Sequence, residues 1–164
     1  MLKKSGQTKW QILPLGPTGY GDSPYQSFST FAGNPYFIDP ETLIKEGLIT
    51  KKECDESMPA AKGEQAMSSI DYEWLYFHRF PLLRKAFSRF QPDASYEKFL
   101  TENAYWLTDY CLFMAIKDKQ GGISFAEWPD AYRNREPEAL EEAKAALKTE
   151  MDFYILQQYD FRKQ

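Results

Sequence analysis

Turn-forming residues recur so closely between positions 16 and 34 that neither a helix nor a strand can persist there. Gly-Pro, Thr-Gly, Gly-Asp, Ser-Pro and Gly-Asn-Pro follow one another in GPTGYGDSPYQSFSTFAGNP, which extends this segment by Pro35. Glycine permits the backbone angles that tight turns need, and proline fixes its own φ angle and removes a hydrogen-bond donor. A loop of this length without a helix or strand of its own is usually functional.

The residues just before this loop predict a β-strand. Residues 10–15 (WQILPL) form a short apolar run with β-forming side chains, although Pro14 removes one donor from the ladder. A strand that opens into a glycine-rich loop at its carboxyl end is typical of barrel and open α/β enzymes, which place their sites at that edge. The pattern therefore favours an α/β fold with a site on the loop.

Beyond residue 40 the pattern becomes helical. Apolar residues spaced three or four apart predict helices at 71–90, 95–118 and 137–161, and a shorter helix at 40–47. We expect Pro81 to kink or interrupt the first of the long helices, and Gly121 with Gly122 to end the second. Residues 50–69 have no clear period and are predicted to form a loop.

The charge of the chain limits its partners. The 164 residues carry a formal net charge of −4, which argues against a nucleic-acid backbone and is compatible with a neutral ligand such as a sugar. No stretch approaches the roughly 18 apolar residues of a membrane span, and residues 1–9 do not resemble a signal peptide. Cys54 and Cys111 have neither metal-ligand spacing nor a disulfide framework, which is typical of reduced thiols in a cytosolic protein.

Two tyrosines stand among the turn residues of the loop. Tyr20 (GYGD) and Tyr25 (SPYQ) cannot easily be periodic core residues. A tyrosine ring can lie against the apolar C–H face of a sugar while its hydroxyl reaches a polar partner. Ser23 and Gln26 supply hydrogen-bonding groups nearby. Burial within the loop is the alternative for Tyr25, and the sequence pattern leaves both open.

The other ionisable residues give no catalytic constellation. Asp22 and Asp39 are the acids of the loop region, and nothing in the local pattern brings them to the separation of about 5–5.5 Å that retaining glycosidases need. We expect Asp22 to make a local turn bond and Asp39 to cap the short helix. His78 has no Ser or Cys partner in a triad pattern, so a packing or surface role is expected.

The segment LGPTGYGDSPYQ, followed by AGNP, resembles the 4-α-glucanotransferase family, also called amylomaltase or disproportionating enzyme. Weaker matches continue through IDYEWLY, AYWLTDYCLFMAIK and EWP. The resemblance covers most of the chain and only the N-terminal part of the family. It implies a fragment of a (β/α)8 TIM barrel that carries a mostly helical inserted subdomain. Residues 1–40 would be a barrel strand with its catalytic-face loop, residues 41–136 the inserted subdomain, and residues 137–164 a barrel-associated helix.

The resemblance also implies an activity. Family members cleave an α-1,4 bond in a glucan, hold the glucosyl part covalently on an aspartate and pass it to another sugar hydroxyl, with a glutamate as acid and base. The expected partners are α-1,4-glucans and maltooligosaccharides, the expected location is the cytoplasm, and neither a metal nor an organic cofactor is required.

Four binding residues follow from the resemblance. Tyr25 matches a tyrosine that stacks near the cleaved sugar, and Ser23 matches a neighbour in the same pocket. Tyr20 and Tyr76 match two tyrosines of a second glucan-binding groove. Helical spacing instead puts Tyr76 on the core face of its helix, and we expect the exposed position.

The catalytic carboxylates of the family lie downstream of the matched region. We therefore expect no catalytic residue in this chain and no activity from the chain alone. Two alternatives remain: a non-catalytic α-glucan-binding module, and a helical interaction domain whose aromatic residues serve only as core.

Overall fold

Helices make up the regular structure of the described part of this chain. The computed structural model describes residues 2–57 and 70–164. In this part the α-helices are α1 (Pro40–Lys45), α2 (Lys51–Glu56), α3 (Tyr72–Arg89), α4 (Ala94–Lys119), α5 (Asp130–Arg133), α6 (Pro137–Ala146) and α7 (Lys148–Lys163). Short 3-10 helices lie at Leu2–Ser5, Tyr20–Asp22, Pro35–Phe37 and Phe125–Glu127.

Local chemistry fixes where several helices begin and end. The side chains of Asp39, Asp71 and Asp93 each accept hydrogen bonds from backbone N–H groups in the first turn of α1, α3 and α4. Such caps satisfy donors that have no partner inside the helix. After α4 the chain turns through Gly121 and Gly122, both at positive φ. The predicted cap at Asp39 and the predicted glycine stop are thus confirmed.

Buried apolar side chains gather in two clusters. The larger cluster joins α4, α6 and α7, where α4 packs along α7, and it contains Leu107 and Cys111. The smaller cluster joins α1, α2 and α3 and contains Cys54 and Phe153, the latter reaching it from α7. Because α7 supplies both clusters, it is the element that holds the helices together. The two cysteines are unpaired and lie in different clusters.

The predicted long helices are largely confirmed. Helices α3 and α4 begin and end within a residue or two of the predicted 71–90 and 95–118. Of the kink or interruption predicted at Pro81, the interruption is wrong, because α3 continues through it while Leu82 and Leu83 anchor that turn in the smaller cluster. The kink stays a prediction. The single helix predicted at 137–161 is divided at Leu147, which leaves helical backbone angles (φ −112°, ψ 21°) and is buried in the larger cluster.

The loop predicted at 50–69 is wrong where the structure describes it. Residues Lys51–Glu56 form α2, and Thr50 and Glu53 cap each other's backbone N–H groups in a reciprocal box. This Ser/Thr-x-x-Glu spacing was available in the sequence. Arg89 of α3 donates to both carboxylate oxygens of Glu53 at 2.8 Å, which ties α2 to α3. Residues 58–69 lie outside the described residues.

The predicted strand at 10–15 is also wrong. Residues 7–15 form neither helix nor strand, and Trp10 and Leu13 are 78% and 62% exposed. A strand exists only when a neighbour pairs with its N–H and C=O groups, and residues 2–57 and 70–164 contain no other strand. The described part is therefore all-helical, and the predicted α/β barrel fragment is not confirmed. The division of the chain at residues 40 and 136 stays a prediction.

Candidate functional site

The two ends of loop 16–33 lie next to each other. The Asn34 N–H donates to the Leu15 carbonyl at 2.8 Å, which closes the two ends of the loop on each other. Within the loop the backbone also folds back on itself, since a Cβ at Gly19 would overlap the carbonyl oxygen of Gln26. Only glycine fits such a close approach. The glycine pattern that predicted this loop therefore reflects the close approach of two parts of the loop backbone.

The structure brings Ser23 and Tyr25 together. The Tyr25 N–H donates to the Ser23 hydroxyl oxygen at 3.3 Å, a short-range turn typical of serine. The Tyr25 ring is 73% exposed and borders a groove of about 580 Å³ together with Pro24, Phe31 and Phe161. Tyr25 is thus presented to solvent rather than buried in its own loop.

Tyr76 is exposed, as expected. Its side chain on α3 is 52% exposed, and its ring lies 5.5 Å from that of Phe77 and 5.1 Å from that of Phe80. The helical spacing that put Tyr76 on the core face was misleading, because the buried residues of α3 (Leu82, Leu83 and Ala86) all lie in its second half.

A larger cavity opens between the loop, α3, α4 and α7. Its volume is about 750 Å³, within the usual range for ligand pockets. Tyr76 borders this cavity, whereas Tyr25 borders the separate groove. The Tyr20 side chain lies outside the described part of the structure. Besides Tyr76, aromatic residues line the cavity from every side: Phe28, Tyr36, Phe77, Phe80, Tyr110, Phe153 and Tyr154.

Tyr36 was not predicted as a site residue. It lies with Asp22, Tyr72 and Tyr76 around a smaller hollow of about 280 Å³. Burial, followed by the charge of Asp22 and the neighbouring tyrosines, raises the pKa of Tyr36 to about 12. The local signal was the Asn34-Pro35 turn, in which the Asn34 side chain accepts from the Tyr36 N–H at 3.0 Å.

Polar groups reach the large cavity at a few points. Asp118 accepts a hydrogen bond from the Tyr154 hydroxyl at 2.5 Å, and burial with this bond raises the pKa of Tyr154. The Arg84 guanidinium stacks on the Phe153 ring at 3.7 Å. Aromatic faces with a few convergent donors and acceptors suit a neutral ligand that has both C–H faces and hydroxyl groups.

The remaining candidates have local roles. Asp39 is engaged as the α1 cap, and the hydrogen bond from the Thr42 hydroxyl lowers the pKa of its carboxyl. His78 stacks on Trp74 at 3.9 Å and its Nδ1 lies 2.8 Å from the Trp74 carbonyl oxygen, which confirms a packing role. In residues 2–57 and 70–164 no group of three or more His, Cys, Asp or Glu side chains could hold a metal ion. No helix of the described part is long and apolar enough to cross a membrane.

Comparison with known proteins identifies the family. Residues 1–164, the whole chain, match the family model described as 4-alpha-glucanotransferase. The chain belongs to the 4-alpha-glucanotransferase family. It is 45% identical to the enzyme of that name from Thermus thermophilus and 42% identical to that from Clostridium butyricum, in each case over 99% of this chain. A chloroplastic/amyloplastic relative from Solanum tuberosum is 31% identical.

The fold has a close counterpart among solved structures. Amylomaltase from Streptococcus agalactiae in complex with acarbose matches with a TM-score of 0.86 at 38% identity, over 99% of this chain. The chain spans about a third of the length of these proteins: 32% of the Thermus relative and 33% of the solved amylomaltase. The family resemblance of the loop segment is thus confirmed.

Proposed function

We propose that this chain is the α-glucan-binding part of a 4-α-glucanotransferase. The observation that carries the proposal is the similarity of 99% of the chain to an amylomaltase solved with acarbose, a maltooligosaccharide analogue. The exposed Tyr25 beside its groove supports it, because an exposed aromatic ring is a natural platform for a sugar.

In this proposal the loop and α3 bind different lengths of glucan. Tyr25 and Ser23 contact the sugar at the cleaved α-1,4 bond, and Tyr20 and Tyr76 bind more distant glucose units. Tyr25 borders the groove and Tyr76 borders the large cavity. This separation fits one binding site that every substrate occupies and a second site that only long glucans reach. In the complete enzyme, Tyr25→Ala should lower kcat/KM for maltotriose and amylose alike. Tyr76→Ala should spare maltotriose and alter the turnover of amylose.

The transfer itself is proposed to be retaining. A glucosyl group is held on an aspartate while a glutamate first protonates the leaving oxygen and then activates the acceptor hydroxyl. We assign neither carboxylate to these 164 residues: Asp39 is committed to a helix cap. The chain by itself should therefore release no glucose from maltotriose. We further propose a cytoplasmic enzyme that uses neither metal nor organic cofactor and binds neither nucleic acid nor membranes.

The direct test is a titration of the chain with acarbose and maltotetraose, followed by calorimetry or by amide chemical shifts. Cellotetraose, which has the same composition with β-1,4 bonds, is the ligand control. Tyr25→Ala should weaken binding, whereas Trp10→Ala should not. Trp10 is the matched control because it is an aromatic residue that is 78% exposed, close to the 73% of Tyr25, and borders neither the groove nor the large cavity.

The outcomes separate the glucan-binding functions from the helical interaction domain. Binding of α-1,4 oligosaccharides without transfer by the chain alone agrees with the proposal. Glucose release from maltotriose by highly purified chain would contradict the assignment of catalysis to other residues. No binding of any α-glucan would instead favour the helical interaction domain.

A further inference from the structure

The neck of loop 16–33, formed by Leu15, Gly33 and Asn34, is hydrogen-bonded to the side chain of Gln158 on α7. The Gly33 N–H donates to Oε1 of Gln158 at 2.7 Å, and Nε2 of Gln158 donates back to the Gly33 carbonyl at 3.1 Å. The two residues are 125 positions apart in sequence. A primary amide has a donor and an acceptor side by side, so it can satisfy both polar groups of one residue's backbone. Gln158 therefore clamps Gly33: like a neighbouring β-strand, it accepts from the backbone N–H and donates to the backbone carbonyl.

Packing reinforces this clamp. Gln158 is 1% exposed, so its amide bonds are shielded from competing water. Phe161, on the same helix, lies against Gly33 so closely that a Cβ there would overlap its ring. The next residue, Asn34, donates to Leu15 and closes the loop. Gly33 is thus the point at which the loop is fixed to the helices.

The other hydrogen bonds of the loop are local. The Ser23 hydroxyl oxygen accepts from Tyr25, that of Ser27 accepts from Ser29, and that of Ser29 accepts from Phe31 and Ala32. Among the described side chains, these bonds shape the loop but do not tie it to a helix. The orientation of the whole loop relative to α7 therefore depends on the Gly33 contact together with ring packing.

The neighbouring glutamine provides a natural comparison. Gln157 is 2% exposed, as deeply buried as Gln158. Its Nε2 has no hydrogen-bond partner among residues 2–57 and 70–164. Two consecutive glutamines on one helix therefore share residue type and burial, and only Gln158 bonds to the loop.

We propose that Gln158 is a positioning residue for glucan binding, which fixes the neck of loop 16–33 on α7 so that Ser23 and Tyr25 meet the sugar in one orientation. The inference rests on the proposed function. Holding the loop in its binding orientation before the ligand arrives removes an ordering cost that would otherwise weaken affinity. Gln158 itself need not touch the sugar.

The test compares Gln158→Leu with Gln157→Leu in the full chain. Leucine leaves both polar groups of Gly33 without a partner, whereas at position 157 it removes only an unpartnered amide. In Gln158→Leu we expect the Asn34 amide to exchange about tenfold faster with solvent deuterium and acarbose to bind about tenfold more weakly, while amides of α4 keep their protection. Gln157→Leu should leave the Asn34 exchange unchanged. Because Gln157 borders the large cavity, the control for affinity is Asp152→Asn on the same helix, which borders neither the cavity nor the groove and should leave acarbose binding unchanged.

A double-mutant cycle separates positioning from a general loss of structure. If Gln158 acts through Tyr25, the loss of affinity caused by Gln158→Leu should shrink or vanish in the Tyr25→Ala background. Fully additive losses would overturn the proposal. Gln158→Glu keeps the side-chain volume and the acceptor for the Gly33 N–H but, when ionised, lacks the donor, and it serves if the leucine variant does not fold.

Failure of the proposed function and failure of the positioning role give different binding results. An unaltered chain that binds no acarbose contradicts the proposed function and, with it, the positioning role. An unaltered chain that binds acarbose, with an affinity that Gln158→Leu and Gln158→Glu both preserve, overturns the positioning role alone. Slow exchange at Asn34 in both variants would overturn it as well.

Discussion

The helical part of the molecule and loop 16–33 are held together by different physical means. In the helical part, α4 and α7 pack along each other through side chains such as Leu107 and Tyr154 that are almost fully buried. In the loop, Tyr25, Phe28 and Phe31 remain 41–73% exposed, and a few backbone hydrogen bonds define the path of the chain. Burial stabilises the first region, and backbone geometry defines the second.

This difference assigns stability and recognition to separate residues. The apolar side chains whose burial contributes most to the stability of the folded protein are those of the helices. The side chains left at the surface, Tyr25 above all, are free to contact a ligand. Substitutions in the two regions should therefore have opposite profiles: large effects on unfolding in one, and large effects on binding in the other.

The largest effect is expected for Phe153→Ala. Phe153 is 1% exposed and links α7 to the smaller cluster, so its removal leaves a cavity that costs about 3–5 kcal/mol of unfolding free energy. Urea denaturation followed by circular dichroism measures the loss. Tyr105→Ala, at a 72% exposed position on α4, should change stability by less than about 0.5 kcal/mol. Equal losses from the two variants would erase the distinction between buried and exposed aromatic residues.

A smaller loss is expected at the junction of the two regions. Gly33→Ala introduces a methyl group into the space of the Phe161 ring, and such overpacking costs about 1–3 kcal/mol. Gly6→Ala is the control, since the space around that position is open although its positive φ is itself unfavourable for alanine. The melting temperatures of both variants report the difference. A Gly33→Ala protein as stable as the unaltered chain would mean that the neck moves freely relative to α7.

One buried group in the helical part should oppose stability. Asp160 is 2% exposed, and burial raises the pKa of its carboxyl from 3.8 to about 6, although Lys163 Nζ lies 3.2 Å away. The folded pKa is above the unfolded value, so the stability associated with protonated Asp160 is fully present below pH 3.8 and is lost as the pH rises through about 6.

Asp160→Asn should therefore stabilise the protein at pH 7.5 by about 1–2 kcal/mol and have little effect near pH 3.5. The full shift corresponds to more, at about 1.4 kcal/mol per pKa unit, but the substitution also removes a partner of Lys163. Lys163 keeps its ion pair with Glu46, the residue directly after α1, at 2.7 Å. Asp152→Asn, a more exposed acid of the same helix, serves as the control. A gain that is the same at both pH values would contradict the burial of a charge as its cause.

The smallest effect is expected from the exposed segment before the loop. Leu13 is 62% exposed, so Leu13→Ser removes little buried area and should change the unfolding free energy by less than about 0.5 kcal/mol. Equilibrium unfolding in urea measures this change. A loss comparable to that of Phe153→Ala would mean that residues 10–15 are packed in solution and belong with the helices.

The parts of the fold that sequence could predict are those determined by neighbours along the chain. Side-chain spacing predicted α3 and α4 because a helix face is set by residues three or four apart. Turn residues predicted the long loop, and the capping box at Thr50 and Glu53 contained the signal for α2. The strand at 10–15 could not be decided in this way, because pairing with another strand is not a local property.

The geometry of the candidate site was predictable only in part for the same reason. Ser23 and Tyr25 lie two positions apart, and their turn is local. The hollow around Tyr36 depends on α3, which begins with Tyr72, and the clamp on Gly33 depends on Gln158. Contacts between residues so far apart produce no periodic pattern in the sequence. They depend on the folded arrangement of α3 and α7.

Because the two ends of loop 16–33 are bonded to each other at the neck, the loop projects from the chain, and its length does not set the distance between its flanking segments. Because Leu15 and Asn34 are bonded directly, residues between them can be added or removed without moving either flank. Closing a longer loop costs only about 0.6 kcal/mol for each doubling of its length. Insertions near Gly21, at positive φ in open space, would thus change how far the loop extends while the helices keep their packing. Length at this point is a variable that evolution or an engineer can alter almost independently of stability.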